Sequence, residues 1–377
     1  MKKLVIYATH VFDFNNNEFS IGGVQTYVRN LSLLGKECNA DSIVYDAHDF
    51  EGEPRIADYK GVSVIEYNKC GSFQKSFDKI YSKENGDGVV FVIATDQYLI
   101  NSHQKNVIQV QHGIAFDIPG YFLGGIWKIK SLWKINKIIR CLRNVNRLYQ
   151  TPNTVCVDYN YFNWFRTIGT EVDGQHMHII PNYSSGFISE EELKIKLSRA
   201  RTVKKIVFAR RFEDYRGAIL FSKVASRLLK ERDDIEITFA GSGNCMEEMK
   251  KMLNGCSNYY FTSYSSSNSI AFHKDFDIAI VPTIFSEGTS LSLIEAMAAG
   301  CLPIASHVGG MTNIILDAFN GYLVYPSEEK LYEVIIKVLN LKKDEFNNIV
   351  ENSYKSAFYS FSIDKWKESW KELLLNL

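Results

Sequence analysis

Net charge of one sign is the first thing this sequence lacks: its 377 residues carry 43 Lys and Arg against 43 Asp and Glu. So balanced a chain sets up no global field for nucleic acid. Long apolar runs are missing too, and none approaches the roughly 18 residues of a membrane-spanning helix. The seven cysteines (38, 70, 141, 156, 245, 256, 301) are scattered, odd in number and form no Cys-x-x-Cys. That argues against a zinc site and fits a reducing cytoplasm. There is no internal repeat, no low-complexity segment and no Asp-x-Asp obviously placed to hold a metal. The opening MKKLVIYATHVFDFNN reads as a first strand rather than a signal peptide.

What is present is alternation. Strand-like runs (KLVIYA, DSIVY, VSVIEY, GVVFVIA, NVIQVQ, NTVCV, MHIIP, then KKIVFA, IEITFAG, NYYFT, FDIAIVP, CLPIAS, GYLVY) are separated by helical patterns such as Val24–Leu34, Gly217–Lys230 and Met246–Leu253. Such a pattern implies parallel sheets covered on both faces, hence an α/β protein. The length suits two domains. The polar stretch Pro181–Lys204 separates IIP from a fresh strand and marks the joint. We read two doubly wound, Rossmann-like domains, residues 1–182 and 183–357, facing each other across a cleft. Residues 358–377 hold a final amphipathic helix.

The most informative stretch is Phe285–Val308, FSEGTSLSLIEAMAAGCLPIASHV. It follows the buried strand FDIAIVP and places Glu287 in a turn and Glu295 inside a helix that Ser290 opens. That turn lies at the carboxyl edge of a parallel sheet, where α/β proteins bind ligands. A helix N-terminus there offers N–H groups to an anion, and carboxylates accept from sugar hydroxyls. Two glutamates alone could equally be a solvated pair beside a crossover. Their setting, E-GTSLSLI-E-AMAAGCLPIASHVGG, resembles the retaining glycosyltransferases of family four (glycosyl transferases group 1), which have the GT-B fold. The resemblance is sharp from about Lys204 to Tyr325 and rests on short motifs elsewhere.

The resemblance implies roles. Glu287 would hold donor-sugar hydroxyls, and Glu295 the nucleotide ribose. The backbone from Gly288 through Thr289 and Ser290 to Leu291 would support sugar and phosphate. In Ala209–Gly217, ARRFEDYRG, two arginines at a strand end can flank a diphosphate, although on their own a solvated face is the default reading. By resemblance Arg211 and Arg216 take that role, Arg216 standing where Lys is usual, and Arg210 has none. Gly22 and Gly23 match a loop over the donor phosphates, with Gln25 in place of a frequent Glu. Gly241 and Gly243 match a loop near the base. His112, in QHG, matches a His that contacts the donor sugar. Asp96 and Gln25 are acceptor-side candidates, and Asp96 could equally cap a helix.

Ile126–Leu148 gathers seven Lys/Arg and no acid. On a helical wheel Trp127, Leu132, Ile135, Ile138, Ile139, Leu142 and Val145 share one face. Lys130, Lys134, Lys137, Arg140, Arg143 and Arg147 take the other, with Lys128 an exception. Such a helix can lie on an anionic membrane, with Trp127, Lys130, Trp133, Lys134, Lys137 and Arg140 at the lipid. The alternatives are a core-packed helix with a solvated basic face, or a nucleic-acid groove.

The expectation is therefore a retaining hexosyl- or glycosyltransferase that needs no metal or other cofactor. It would use a nucleotide-diphosphate sugar and a glycan or lipid-linked acceptor. The setting would be bacterial-type surface polysaccharide assembly (capsule, O-antigen or exopolysaccharide). It would sit in the cytoplasm, peripheral on the inner face of the plasma membrane. A nucleotide-sugar epimerase of similar fold and a non-catalytic sugar-nucleotide or membrane-binding protein are the alternatives.

Overall fold

A computed structural model of the chain describes every residue except 21, 70, 96–99, 114–128, 150, 169–176, 200–201 and 286. Contacts divide it into two compact units, Met1–Pro181 with Trp366–Leu377, and Asn182–Lys365.

The first unit contains strands β1 (Lys3–Ala8), β2 (Phe12–Asp13), β3 (Glu18–Phe19), β4 (Asp41–His48), β5 (Ile56–Tyr59), β6 (Val62–Asn68), β7 (Val89–Ile93), β8 (Val107–Gln111), β9 (Asn153–Cys156) and β10 (Met177–Ile179). Its helices are α1 (Gly23–Glu37), α2 (Phe73–Glu84), α3 (Lys130–Tyr149) and α4 (Tyr159–Ile168). The sheet runs β10-β9-β8-β7-β1-β4-β6-β5. Every pairing is parallel but the last, where β5 meets β6 antiparallel. The expected parallel sheet is thus present, with one antiparallel edge strand added that the sequence reading did not include. Lys60 and Gly61 both have positive φ, 51° and 81°, and so make the two-residue turn that closes a hairpin. That strand is half exposed and lacks the apolar run that betrays a buried one. β2 and β3 form a second small hairpin in which Phe12 faces Phe19.

The second unit contains β11 (Lys204–Ala209), β12 (Ile235–Ala240), β13 (Tyr259–Thr262), β14 (Ile278–Val281), β15 (Leu302–Ser306) and β16 (Tyr322–Val324). The helices are α5 (Glu190–Ser198), α6 (Ala218–Glu231), α7 (Met246–Met252), α8 (Ser269–His273), α9 (Leu291–Ala298), α10 (Glu328–Leu339) and α11 (Lys343–Ser360). The parallel sheet runs β13-β12-β11-β14-β15-β16. Chain order reverses between β11 and β14, so their carboxyl ends frame the crevice where open α/β sheets take ligands. A run of phenylalanines, with Phe208 stacked on Phe221 at 5.8 Å and Phe239 on Phe261 at 5.2 Å, fills one side of this sheet.

The last helix, α12 (Ile363–Leu375), belongs to the first unit from Trp366 onward. Trp366, Trp370 and Leu374 are buried. Trp370 donates its indole N–H to the Tyr27 hydroxyl at 2.8 Å, and Tyr27 stands edge-on to Trp366 at 5.2 Å. Trp370→Phe is expected to cost about 1 kcal/mol, the net worth of one buried hydrogen bond. Trp370→Ala, which empties a core position, is expected to cost about 3–5 kcal/mol. Denaturant unfolding of the two variants checks the difference.

Candidate active site

The site of the second unit grows from two strand ends. β11 leads directly into Arg210 and Arg211. A short helical turn, Asp214–Arg216, follows, and its Tyr215 carbonyl accepts from the Ile284 N–H at 2.9 Å. That bond ties the arginine loop to the loop after β14. Gly217 next to it has φ +82°, and a Cβ there would meet the Pro282 carbonyl oxygen at 2.1 Å. Gly309 has φ +53°, and a Cβ there would meet the Glu287 carbonyl oxygen at 2.0 Å. That carbonyl accepts from the Gly310 N–H at 2.9 Å. Side chains at these two places would push the loops apart.

Between the loops Glu287 is clamped by two guanidiniums. Arg210 donates from Nη2 to Oε2 at 2.7 Å, Arg216 donates from Nη1 to the same oxygen, and the Thr283 hydroxyl donates at 2.9 Å. Arg210 also donates to Thr283. Burial by itself would push the Glu287 carboxyl up, but the two arginines overcome it and hold its pKa at about 2. Burial draws the Arg210 pKa down despite Glu287. For Arg216 burial is outweighed by Glu287, and its pKa rises. Arg210 is 5% exposed and Arg216 21%, so Arg216 is the one with room to turn toward a ligand.

Glu295 lies on α9, a helix whose N-cap is Ser290. The Ser290 hydroxyl faces that of Ser292 at 3.3 Å and makes no capping bond. Burial pushes the Glu295 carboxyl up to about 7, against the influence of the Ser269 hydroxyl. The Tyr264 ring, stacked on Phe272 at 4.4 Å, lies close enough for Glu295 to help burial raise its pKa. Just ahead of the helix, Thr289 and Ser290 are buried. The Thr289 carbonyl accepts from Asn182 Nδ2 at 2.7 Å. Leu291 is the first helical residue.

Arg211 stands exposed. Arg210, to which the sequence assigned no role, reaches Glu287 together with Arg216. Gly241 and Gly243 lie in the loop after β12, and a Cβ on Gly243 would meet the Phe212 carbonyl oxygen at 2.5 Å. Thr283 and Tyr264 were also missed, because neither belongs to a motif.

In the first unit Gly22 is the N-cap of α1 and Gly23 its first residue. Gln25 donates to the His10 carbonyl at 3.4 Å. His112, just past β8, stands edge-on to Tyr27 at 4.9 Å. It is thereby linked through Tyr27 to Trp366 and Trp370. Asp96 and Trp127 lie outside the described residues.

α3 turns one apolar face outward and packs another inward. Ile129 just ahead of it and Leu132, Ile135, Ile138, Ile139 and Leu142 along it are 42–59% exposed. Trp133 and Cys141 are buried, and Lys137 between them is half-buried. This i, i+4, i+8 stripe packs inward while the isoleucines face solvent. Trp133 was expected at a lipid surface; its ring is buried, so that assignment is corrected. Lys130 opens the helix, and Lys134 and Arg140 are exposed. No helix among the described residues is long and apolar enough to cross a membrane.

The family model for glycosyl transferases group 1 matches residues 189–356, a span that holds Arg210, Arg216, Glu287 and Glu295. Residues 189–356 are a glycosyl transferases group 1 domain. Over 218 residues the chain is 26% identical to the lipopolysaccharide 1,2-N-acetylglucosaminetransferase of Salmonella typhimurium, covering 52% of this chain and 56% of that one. The chain spans about half the length of the first curated relatives it matches. Sucrose-phosphate synthase from Thermosynechococcus elongatus superposes with a TM-score of 0.74 at 13% identity, covering 100% and 99% of the chains. An Anabaena protein solved in complex with UDP superposes at 0.68 and 12% identity, covering both chains in full. The fold is GT-B, as the resemblance implied.

Two measurements follow for the transferase domain. Arg210→Ala removes the innermost partner of a buried carboxylate and is expected to cost about 3–5 kcal/mol. Arg211→Ala, at an exposed position, is expected to stay within about 0.5 kcal/mol of wild type in the same unfolding experiment. Glu295 titrates higher folded than unfolded, so its ionisation disfavours the fold. Its penalty is absent below the ordinary pKa of 4.5, grows as pH climbs, and is complete above about 7. Glu295→Gln is expected to gain thermal midpoint over wild type across that window and to show no difference below it.

Proposed function

We propose that this protein transfers a sugar from a nucleotide-diphosphate sugar to a glycan or glycolipid acceptor with retention of anomeric configuration. The process served is assembly of a bacterial-type surface polysaccharide. The observation that carries this reading is Glu287, ionised between Arg210 and Arg216 at the switch point of a group 1 transferase domain, with Glu295 seven intervening residues onward. The names of the relatives support it: one acts on lipopolysaccharide, and one structural neighbour is held with UDP.

Chemically, the demand is stabilisation of the negative charge that grows on the departing diphosphate. Arg216, partly exposed, and Arg211, exposed, are the cations that meet it. Arg210 stays behind as the charge partner of Glu287, which keeps that carboxylate ionised to accept from donor-sugar hydroxyls. The ionised form of Glu295 accepts from the ribose, and His112 keeps the sugar-side role that the resemblance implies. These fixed cations supply the positive charge, and no metal is required; turnover in excess EDTA equal to that without it is the expected result. A ribose that donates to Glu295 favours its charged form. Donor affinity is therefore expected to rise as pH passes through about 7 in wild type and to stay flat in Glu295→Gln. Thermal shift against UDP-, GDP-, ADP- and TDP-sugars measures both. No shift with any donor overturns the reading.

The acceptor is lipid-linked on this reading, and the exposed isoleucine face of α3 with its flanking cations rests on the membrane's cytoplasmic surface. A solvent-facing row of five apolar side chains on one helix is costly unless something apolar covers it. Replacing Ile135, Ile138 and Ile139 by Ser is expected to abolish co-sedimentation with anionic vesicles. Lys134→Glu with Arg140→Glu should weaken it, by about 1 kcal/mol for each basic residue lost near the surface. Binding unchanged in both variants defeats the membrane assignment.

A further inference from the structure

The first unit contains a cluster of ionisable groups that the donor chemistry does not use. Register places Ala8, Asp46 and Glu66 side by side on β1, β4 and β6. Two carboxylates on adjacent strands and the same face repel each other, yet both are buried. Asp46 Oδ2 accepts from the Val11 and Phe12 N–H groups at 3.1 and 2.9 Å. Its Oδ1 has no hydrogen-bond partner and lies 4.0 Å from His48 Nδ1, which has none either. His48 Nε2 faces Glu66 Oε1 at 3.2 Å. Arg55 forks onto Glu66 from Nε and Nη2, both at 2.8 Å, and reaches Asn15 Oδ1 from Nη1 at 2.9 Å. Through Glu66, by way of His48 and Arg55, these groups border an open cavity of about 260 Å³, walled also by His10, Asp13 and Phe14.

The backbone there is shaped at a cost. His10 has φ +54°, a region that non-glycine residues rarely occupy and that clusters at functional sites. The strain turns its ring onto that of His48, at 5.4 Å and 29°. Its carbonyl accepts from Gln25, on the helix that the Gly22–Gly23 pair opens.

We propose that this cavity is a saccharide subsite that takes one uncharged sugar ring of the acceptor. The inference rests on the glycosyltransferase reading for the word acceptor, and on these residues for the ligand class. The wall offers alternating acceptors and donors for ring hydroxyls, and aromatic faces at Phe14 and at the stacked imidazoles for the ring's C–H side. It does not suit an anion. Arg55 is the one arginine or lysine of the wall, it is committed to Glu66 and Asn15, and the wall carboxylates Asp13 and Glu66 outnumber it. The volume falls below the roughly 300–1,000 Å³ of sites for drug-sized ligands, so it suits a single ring.

The test titrates the full chain by ligand-observed NMR with methyl glucoside, methyl N-acetylglucosaminide, glucuronate and glucose 6-phosphate, and runs the donor thermal shift beside it. At least one neutral glycoside is expected to bind about tenfold tighter than either anion, and Phe14→Ala is expected to weaken it by about tenfold. The donor shift should be the same in Phe14→Ala and wild type, which also shows that the variant is folded. Asp13→Lys, at a partly exposed position, is expected to erase the preference against glucuronate. Equal binding of neutral and anionic sugars, no binding of either neutral glycoside, or neutral binding untouched by Phe14→Ala overturns the subsite. Neutral binding with no donor shift leaves the subsite standing and defeats the glycosyltransferase reading instead.

Discussion

The second unit is organised around one ionised carboxylate held away from water. Glu287 can be charged at that depth only because Arg210 and Arg216 both reach it, and a buried charge without partners is among the costliest things a fold can contain. The surrounding backbone answers to that need. The turn that holds Arg216 is tied to the loop after β14, and Gly309 admits the Glu287 carbonyl where a Cβ would collide. The two arginines differ in exposure, Arg210 being the inner partner of Glu287 and Arg216 the outer one.

Glu295 shows the complementary arrangement. It has no arginine, and burial pushes its carboxyl up to about 7. Two carboxylates of the same motif thus differ in pKa by several units through environment alone. One stays an anion across the ordinary pH range, and the other ionises as pH rises through about 7. A pair whose environments push their pKa values apart is what a binding site gains from folding.

In the first unit the same logic recurs with different residues. Carboxylates, imidazoles and one arginine meet at the carboxyl ends of β1, β4 and β6, with aromatic rings around them. Through Tyr27 the last helix of the chain reaches the side chain of His112. Residues some 340 positions apart therefore share one packing unit. α3 is the exception to burial, with its wider apolar stripe turned outward.

Local pattern sufficed for much of this. Every apolar run read as a strand is one, since a buried parallel strand needs a continuous apolar stretch whatever its neighbours. The spacing of Glu287 and Glu295 likewise marked the site, because a strand–turn–helix of that length puts both near one sheet edge. The antiparallel β5 escaped because an edge strand half in water carries no apolar signature. The choice of Arg210 over Arg211 at Glu287 was not legible either. Consecutive residues leaving a strand point opposite ways, and only the packing of β11 against β14 decides which turns inward. The same holds for α3, where the helical wheel marked the isoleucine face but not the stripe of Trp133 and Cys141. The face that meets the protein is the one that finds neighbours, and Cys141 packs with Cys156, Tyr161 and Phe165 while the isoleucines stay exposed. Sequence thus determined elements and motif spacing, which are local. Tertiary structure decided side-chain direction, burial and charge state, which depend on what arrives from elsewhere.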